Sequence, residues 1–115
     1  MAYERHTITV GDTLTPLACQ LKQRDADGSL CDVQLTGLVV KFSMVAADGS
    51  VKVAETTEGV VVIDQDHGEV RYDFHSSHVD TEGTFYGWFH VYDGLERDTY
   101  PAGGRKLQID IIAAE

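Results

Sequence analysis

Basic residues are scarce in this chain. Nine Lys and Arg stand against 19 Asp and Glu among 115 residues, a formal net charge of -10. Phosphate backbones are held by stripes of cations, and the densest basic spot here is Arg105-Lys106, which excludes nucleic acid as the main partner. Long apolar runs are missing too. Nothing approaches the roughly 18 to 20 residues of a membrane helix, and no membrane partner is expected. The opening Met1-Ala2-Tyr3-Glu4-Arg5 has no apolar stretch of the kind a secretory signal carries. Cysteine is limited to Cys19 and Cys31, with Asp25-Ala26-Asp27-Gly28 as a turn between them. A two-residue loop at Asp27-Gly28 sets Cys31 opposite Arg24 and Cys19 opposite Thr36; a four-residue loop sets Cys31 opposite Lys22. Neither register brings the sulfurs together, so two buried thiols are expected rather than a disulfide.

Helical periodicity is the last absence, and period-two alternation takes its place. The hydrophobic fraction of 43% is that of an ordinary globular chain, so one packed domain over residues 1–115 is expected and wholesale disorder is not. Thr7-Ile8-Thr9-Val10 alternates, and Leu17-Ala18-Cys19-Gln20-Leu21 follows Pro16, which suits a strand entrance. Leu38, Val40, Phe42 and Met44 share one face of a strand, with Lys41 and Ser43 on the other. Phe85, Gly87, Phe89 and Val91 alternate with Tyr86, Trp88, His90 and Tyr92, and Leu107, Ile109 and Ile111 close the series. Turns at Ala47-Asp48-Gly49-Ser50 and Asp93-Gly94 divide these runs. The pattern predicts an all-β antiparallel sandwich or barrel of about seven to nine strands.

Asp64-Gln65-Asp66-His67-Gly68 has the spacing that opens many calcium loops. An EF-hand ends in a bidentate Glu at position twelve, where this chain has His75. A hairpin is the better reading, since Asp and Gly favour turns for backbone reasons. A two-residue loop at His67-Gly68 would set Ile63 opposite Tyr72, Val61 opposite Phe74 and Asp64 opposite Arg71, a favourable pair. A four-residue loop would set Asp64 against Glu69, which repels. His75-Ser76-Ser77-His78 offers two imidazoles where zinc requires three or four ligands. Ser76, His78 and Asp80 could suggest a triad, but no nucleophile elbow accompanies them. Ala102-Gly103-Gly104-Arg105 lacks the Lys-Ser/Thr of a phosphate loop. The residues therefore imply no catalytic residue, no cofactor and no metal.

The order of short motifs adds a resemblance. Gly11-Asp12-Thr13 is followed by Asp27-Gly28, Leu35-Thr36-Gly37, Val40-Lys41-Phe42-Ser43-Met44 and Asp48-Gly49. Ile63-Asp64, Gly68-Glu69-Val70-Arg71-Tyr72, Gly83-Thr84-Phe85, Asp93-Gly94, Tyr100-Pro101 and Leu107-Gln108-Ile109-Asp110-Ile111 complete it. This series resembles the N-terminal domain of the phage baseplate upper proteins, an immunoglobulin-like β-sandwich of tailed-phage virions. Antibody domains carry an inter-sheet disulfide and a tyrosine corner; here Phe85 takes the corner and Gly87 the second cysteine position, implying a sandwich without the disulfide.

The baseplate proteins continue into oligomerisation segments, whereas this chain stops at Glu115. The resemblance therefore implies a small immunoglobulin-like accessory, decoration or adaptor subunit on capsid, tail or baseplate. It would be made in the host cytoplasm and located in the virion. Its partners would be other virion proteins, in multiple copies of a symmetric assembly. The alternative is a module binding carbohydrate or a host surface on a phage tail, with aromatics stacking on sugar rings. The resemblance assigns Phe85, Gly87, Phe89 and Val91 to the core and turns Tyr86, Trp88, His90 and Tyr92 outward. A row of large aromatics facing water is suited to a partner, with Trp88 as anchor. The competing expectation is that the chain's own loops or N-terminal segment cover that face.

Overall fold

The computed structural model describes residues 5–11, 16–24, 30–100 and 106–113. The expected turn at residues 25–28, the Asp12-Thr13 pair and the glycine-rich residues 102–105 lie outside the described residues. The described chain forms β1 (Arg5–Thr9), β2 (Leu17–Gln20), β3 (Lys22–Arg24), β4 (Leu30–Asp32), β5 (Val39–Ala46) and β6 (Val51–Thr56). It continues with β7 (Val60–Asp64), β8 (Glu69–Tyr72), β9 (Gly83–Asp93), β10 (Glu96–Tyr100) and β11 (Leu107–Ile112). One 3-10 turn, Ser76–His78, interrupts the strands, and no α-helix occurs among the described residues.

These strands make a β-sandwich. The larger sheet runs β1-β11-β9-β5-β6, with β10 also on β9; the smaller runs β2-β8-β7, and β3-β4 is a separate hairpin. This order can be laid on the G-F-C-C′ and B-E-D sheets of immunoglobulin sandwiches, with β11, β9, β5 and β6 in the first and β2, β8 and β7 in the second. Eleven segments exceed the seven to nine expected, because two runs are interrupted. Leu21 separates β2 from β3, and β10 and β11 line successive halves of one flank of β9. The pairing is not wholly antiparallel either: β1 lies parallel to β11. A parallel pair needs a long crossover, and here the rest of the domain supplies it.

Alternation sets the core. Val40, Phe42 and Met44 of β5 stand opposite Val91, Phe89 and Gly87 of β9, and all face inward. From the smaller sheet come Leu17, Val70 and Tyr72, joined by Leu21, Val33, Leu35 and Phe74. The Phe42 ring stacks on Tyr72 at 4.2 Å and 21°, and lies 5.1 Å from the Phe89 ring. Tyr72 meets Phe74 edge-on at 5.3 Å. This aromatic cluster spans the two sheets where antibody domains place their disulfide and tryptophan. Cys19 stands opposite Val70 and Cys31 opposite Gln23, a register given by neither of the loops considered above. Both are thiols and half-buried rather than buried.

The β7-β8 hairpin corrects a second register. Val60 stands opposite Tyr72, Val61 opposite Arg71 and Val62 opposite Val70, with a bulge before Asp64 opposite Glu69. Ile63, expected opposite Tyr72, is instead 51% exposed. Local partners take the groups expected to pair across the strands: Asp64 Oδ2 lies 2.8 Å from His67 Nδ1, and Arg71 Nε donates to Asp73 Oδ1 at 3.0 Å.

Two outcomes follow from this packing. A Cβ on Gly87 would lie 2.9 Å from Phe42 Cζ and 3.2 Å from Ile109 Cδ1. Gly87→Ala should therefore lower the stability seen in urea unfolding by about 1–3 kcal/mol, more than the roughly 0.5–1 kcal/mol that losing a strand glycine returns. The Tyr72 phenol is pushed up to about 12 by burial, with Glu58 adding to the shift. The unfolded chain ionises this phenol first, so stability should be complete below pH 10 and fall between pH 10 and about 12. Urea midpoints across that range should show the fall, and Tyr72→Phe should flatten it.

Candidate functional site

The outward side chains of β9 follow from its inward ones. With Phe85, Gly87, Phe89 and Val91 buried, Tyr86, Trp88, His90 and Tyr92 occupy the other face of the larger sheet, as the resemblance implied. Their outer-face neighbours on β5 are Val45, Ser43, Lys41 and Val39, respectively. β10 sets Thr99 beside His90 and Arg97 beside Tyr92, and β11 sets Gln108 beside Tyr86 and Asp110 beside Thr84. β1 lies at the edge of this sheet, paired in its plane with β11. Among the described residues, the N-terminal strand does not cover the face.

The four predicted residues share this face but not one environment. Tyr86, Trp88 and Tyr92 are half-buried, while His90 is only 7% exposed and does not meet water as expected. Its ring is held on both sides, with Nε2 2.7 Å from Ser43 Oγ and Nδ1 3.1 Å from Thr99 Oγ1. Glu55 of β6 reaches over it, with Oε1 3.8 Å from Nε2. The Tyr92 hydroxyl donates to Glu55 Oε2, and Arg97 Nη1 donates to Glu55 Oε1 at 3.3 Å. Burial pulls the His90 imidazole below its ordinary value, against the opposing pull of Glu55; Arg97 adds to the lowering. The Tyr92 hydroxyl bond holds Glu55 below the usual carboxylate range.

Cations complete the face. Lys106 Nζ stands 4.3 Å from the Tyr86 ring centroid, and Lys41 Nζ 4.8 Å from that of Tyr92, both within cation–π reach. Val39, beside Tyr92, is 48% exposed, and Leu95 on the following turn is fully exposed. Sequence reasoning missed Glu55, Arg97, Lys41, Lys106, Ser43 and Thr99. The turn at Asp93-Gly94 carried a signal for two of them, since pairing Asp93 with Glu96 brings Arg97 to Tyr92 and Thr99 to His90.

The other candidate sites resolve as local structure. Every carbonyl from Gln65 to Gly68 accepts a hydrogen bond: from Leu35 N at 2.8 Å, Gln34 Nε2 at 3.3 Å, Gln20 Nε2 at 3.0 Å and Leu21 N at 2.8 Å, in order. Asp64 Oδ1 accepts from Asp66 N at 3.1 Å. Residues 65–68 are a four-residue hairpin loop between Asp64 and Glu69, and its carbonyls hold Gln20, Leu21, Gln34 and Leu35. His75 and His78 cap the 3-10 turn, with His75 N donating to His78 Nδ1 at 3.2 Å. Asp80 accepts from Lys52 at 2.7 Å and Thr81 at 2.9 Å. The carboxylate of the supposed triad is thus committed to Lys52 and Thr81.

No protein-family model matches the chain, and no curated protein matches it.

If the Asp64 loop is structural, the purified protein should melt at one temperature with calcium or with chelator. Asp64→Asn with Asp66→Asn should not change that insensitivity. A calcium-dependent rise in melting temperature, lost in the double variant, would instead identify a cation site.

Proposed function

We propose that this chain is a structural subunit of a phage virion, an accessory, decoration or adaptor module that works through protein–protein contacts. The observation that carries the reading is the outer face of β9. Tyr86, Trp88 and Tyr92 form an amphipathic aromatic row, bordered by Val39, Val45, Lys41, Arg97 and Lys106. Tyr, Trp and Arg are the residue types that anchor protein interfaces. The resemblance of the motif series to phage baseplate upper proteins supports the virion setting. Glycan binding would need open ring faces for stacking, whereas Lys106 and Lys41 stand over two of the three rings. That arrangement favours a protein partner over a sugar.

Trp88→Ala tests the proposal. The side chain lies outside the inter-sheet core, so the isolated domain should melt within a few degrees of the parent, and incorporation into particles should fall severalfold. Loss of several kcal/mol, typical of a truncated core tryptophan, would assign Trp88 to the core and place the interface elsewhere.

A further inference from the structure

We propose that the aromatic face binds a second copy of the same chain, across a two-fold axis in the interface plane, perpendicular to β9 and passing by Trp88. The inference rests on the docking-face reading above and names its partner. It comes from the way charge is distributed along β9. At one end, Asp110 accepts from Thr84 Oγ1 at 3.2 Å, and the Lys106 ammonium stands over Tyr86. At the other end, the Glu55 carboxylate lies beside His90 and Arg97 stands beside Tyr92. Trp88 occupies the midpoint, opposite Ser43.

Rotation about that axis exchanges the level of residue 84 with that of 92, and the level of 86 with that of 90. Asp110 then meets Arg97 of the other copy, since β10 and β11 line the same flank of β9. Lys106, over Tyr86, meets the carboxylate that lies over His90. Lys41 falls on Val45, an aliphatic surface its stem can cover. An axis along β9 would leave each level facing itself, with the Lys106 ammonium over Tyr86 opposed to its own copy and Arg97 set against Val39 on the β5 flank. The antiparallel arrangement is therefore the one that pairs opposite charges.

Area and net charge agree with this occupant. The sheet is about four strands across on average, at about 4.8 Å spacing, which over about 30 Å of β9 gives a face of about 600 Å². That lies at the lower end of the roughly 600 to 1,000 Å² per partner of a standard stable interface. In a chain of formal charge -10, this face sets Lys41, Arg97 and Lys106 against Glu55 and Asp110. Two copies thus meet where their own negative charge is offset.

Sedimentation equilibrium over a micromolar to millimolar series should show a dimer. Lys106→Glu and Glu55→Lys should each weaken self-association about tenfold or more while retaining a cooperative melt. An equimolar mixture of these two variants should dimerise again, because each altered residue meets its complement on the other chain. Both changes in one chain should do the same. If Glu55→Lys fails to fold, Arg97→Asp and Asp110→Arg carry the same exchange at the outer pair. A chain that stays monomeric throughout overturns the inference. So do single variants that dimerise as tightly as the parent, and so does a mixture no tighter than its components. A monomeric chain whose Trp88→Ala variant still loses particle incorporation sinks only the second-copy inference. Unchanged incorporation of Trp88→Ala removes the docking reading itself.

Discussion

Phe42 reaches the centre of the sandwich because residue 87 has no side chain. Its ring lies against the bare backbone of Gly87 on β9 and stacks on Tyr72 from the opposite sheet. That contact fixes both the β5-β9 register and the spacing of the two sheets. Aromatic pairs of this kind contribute about 0.5–1.5 kcal/mol beyond the area they bury, and Phe42 makes two, with Tyr72 and Phe89. The outer face follows from the same register. Once Phe42 and Phe89 are inward neighbours, Lys41 with His90 and Ser43 with Trp88 must project outward. A slip of one residue would put Trp88 into the core and Phe89 into water.

The smaller sheet depends on a different device, the loop of residues 65–68. Gly68 has a φ of 68° and is buried against the backbone of Leu21 and Val33; a Cβ there would lie 2.8 Å from Val33 O. The four loop carbonyls accept hydrogen bonds from residues 20, 21, 34 and 35. A calcium loop would direct such oxygens at an ion, whereas this one directs them at its own chain. The short β3-β4 hairpin is thereby tied to a folded neighbour, since an isolated two-stranded hairpin is marginal in water.

The strand class, the turns at Asp48-Gly49 and Asp93-Gly94, and the alternation along β9 were legible because a period of two is a local signal, while the choice of its core face came from the resemblance. Two features were not. The Asp64–Arg71 pairing looked favourable, but partners three and two residues away, His67 and Asp73, took both charges. A bulge at Ile63 then set Asp64 opposite Glu69 and turned the Ile63 side chain outward. Bulges insert one residue and leave no composition signal of their own. The second was the environment of His90. Its face was placed correctly, but its burial depends on Glu55, which lies 35 positions away and reaches it across β5. Such pairings arise from tertiary register, which no short window of sequence contains.

His90 also explains how a face of separate aromatics can be stiff enough to dock. Ser43, His90 and Thr99 come from three adjacent strands and form a hydrogen-bonded line across the outer surface. It lies one residue along β5 from Phe42, so β5 and β9 are held from both sides, by apolar packing within and by polar bonds without. The two hydroxyls can each donate or accept, so the imidazole keeps both contacts in either tautomer. Glu55 closes over the ring and is itself held by Tyr92 and Arg97. Tyr92 is thereby fixed at its hydroxyl end as well as under Lys41. Ordering flexible side chains on association costs about 0.5–1.5 kcal/mol each. A polar scaffold that has already ordered Tyr92, Glu55 and Arg97 removes much of that cost before any partner arrives.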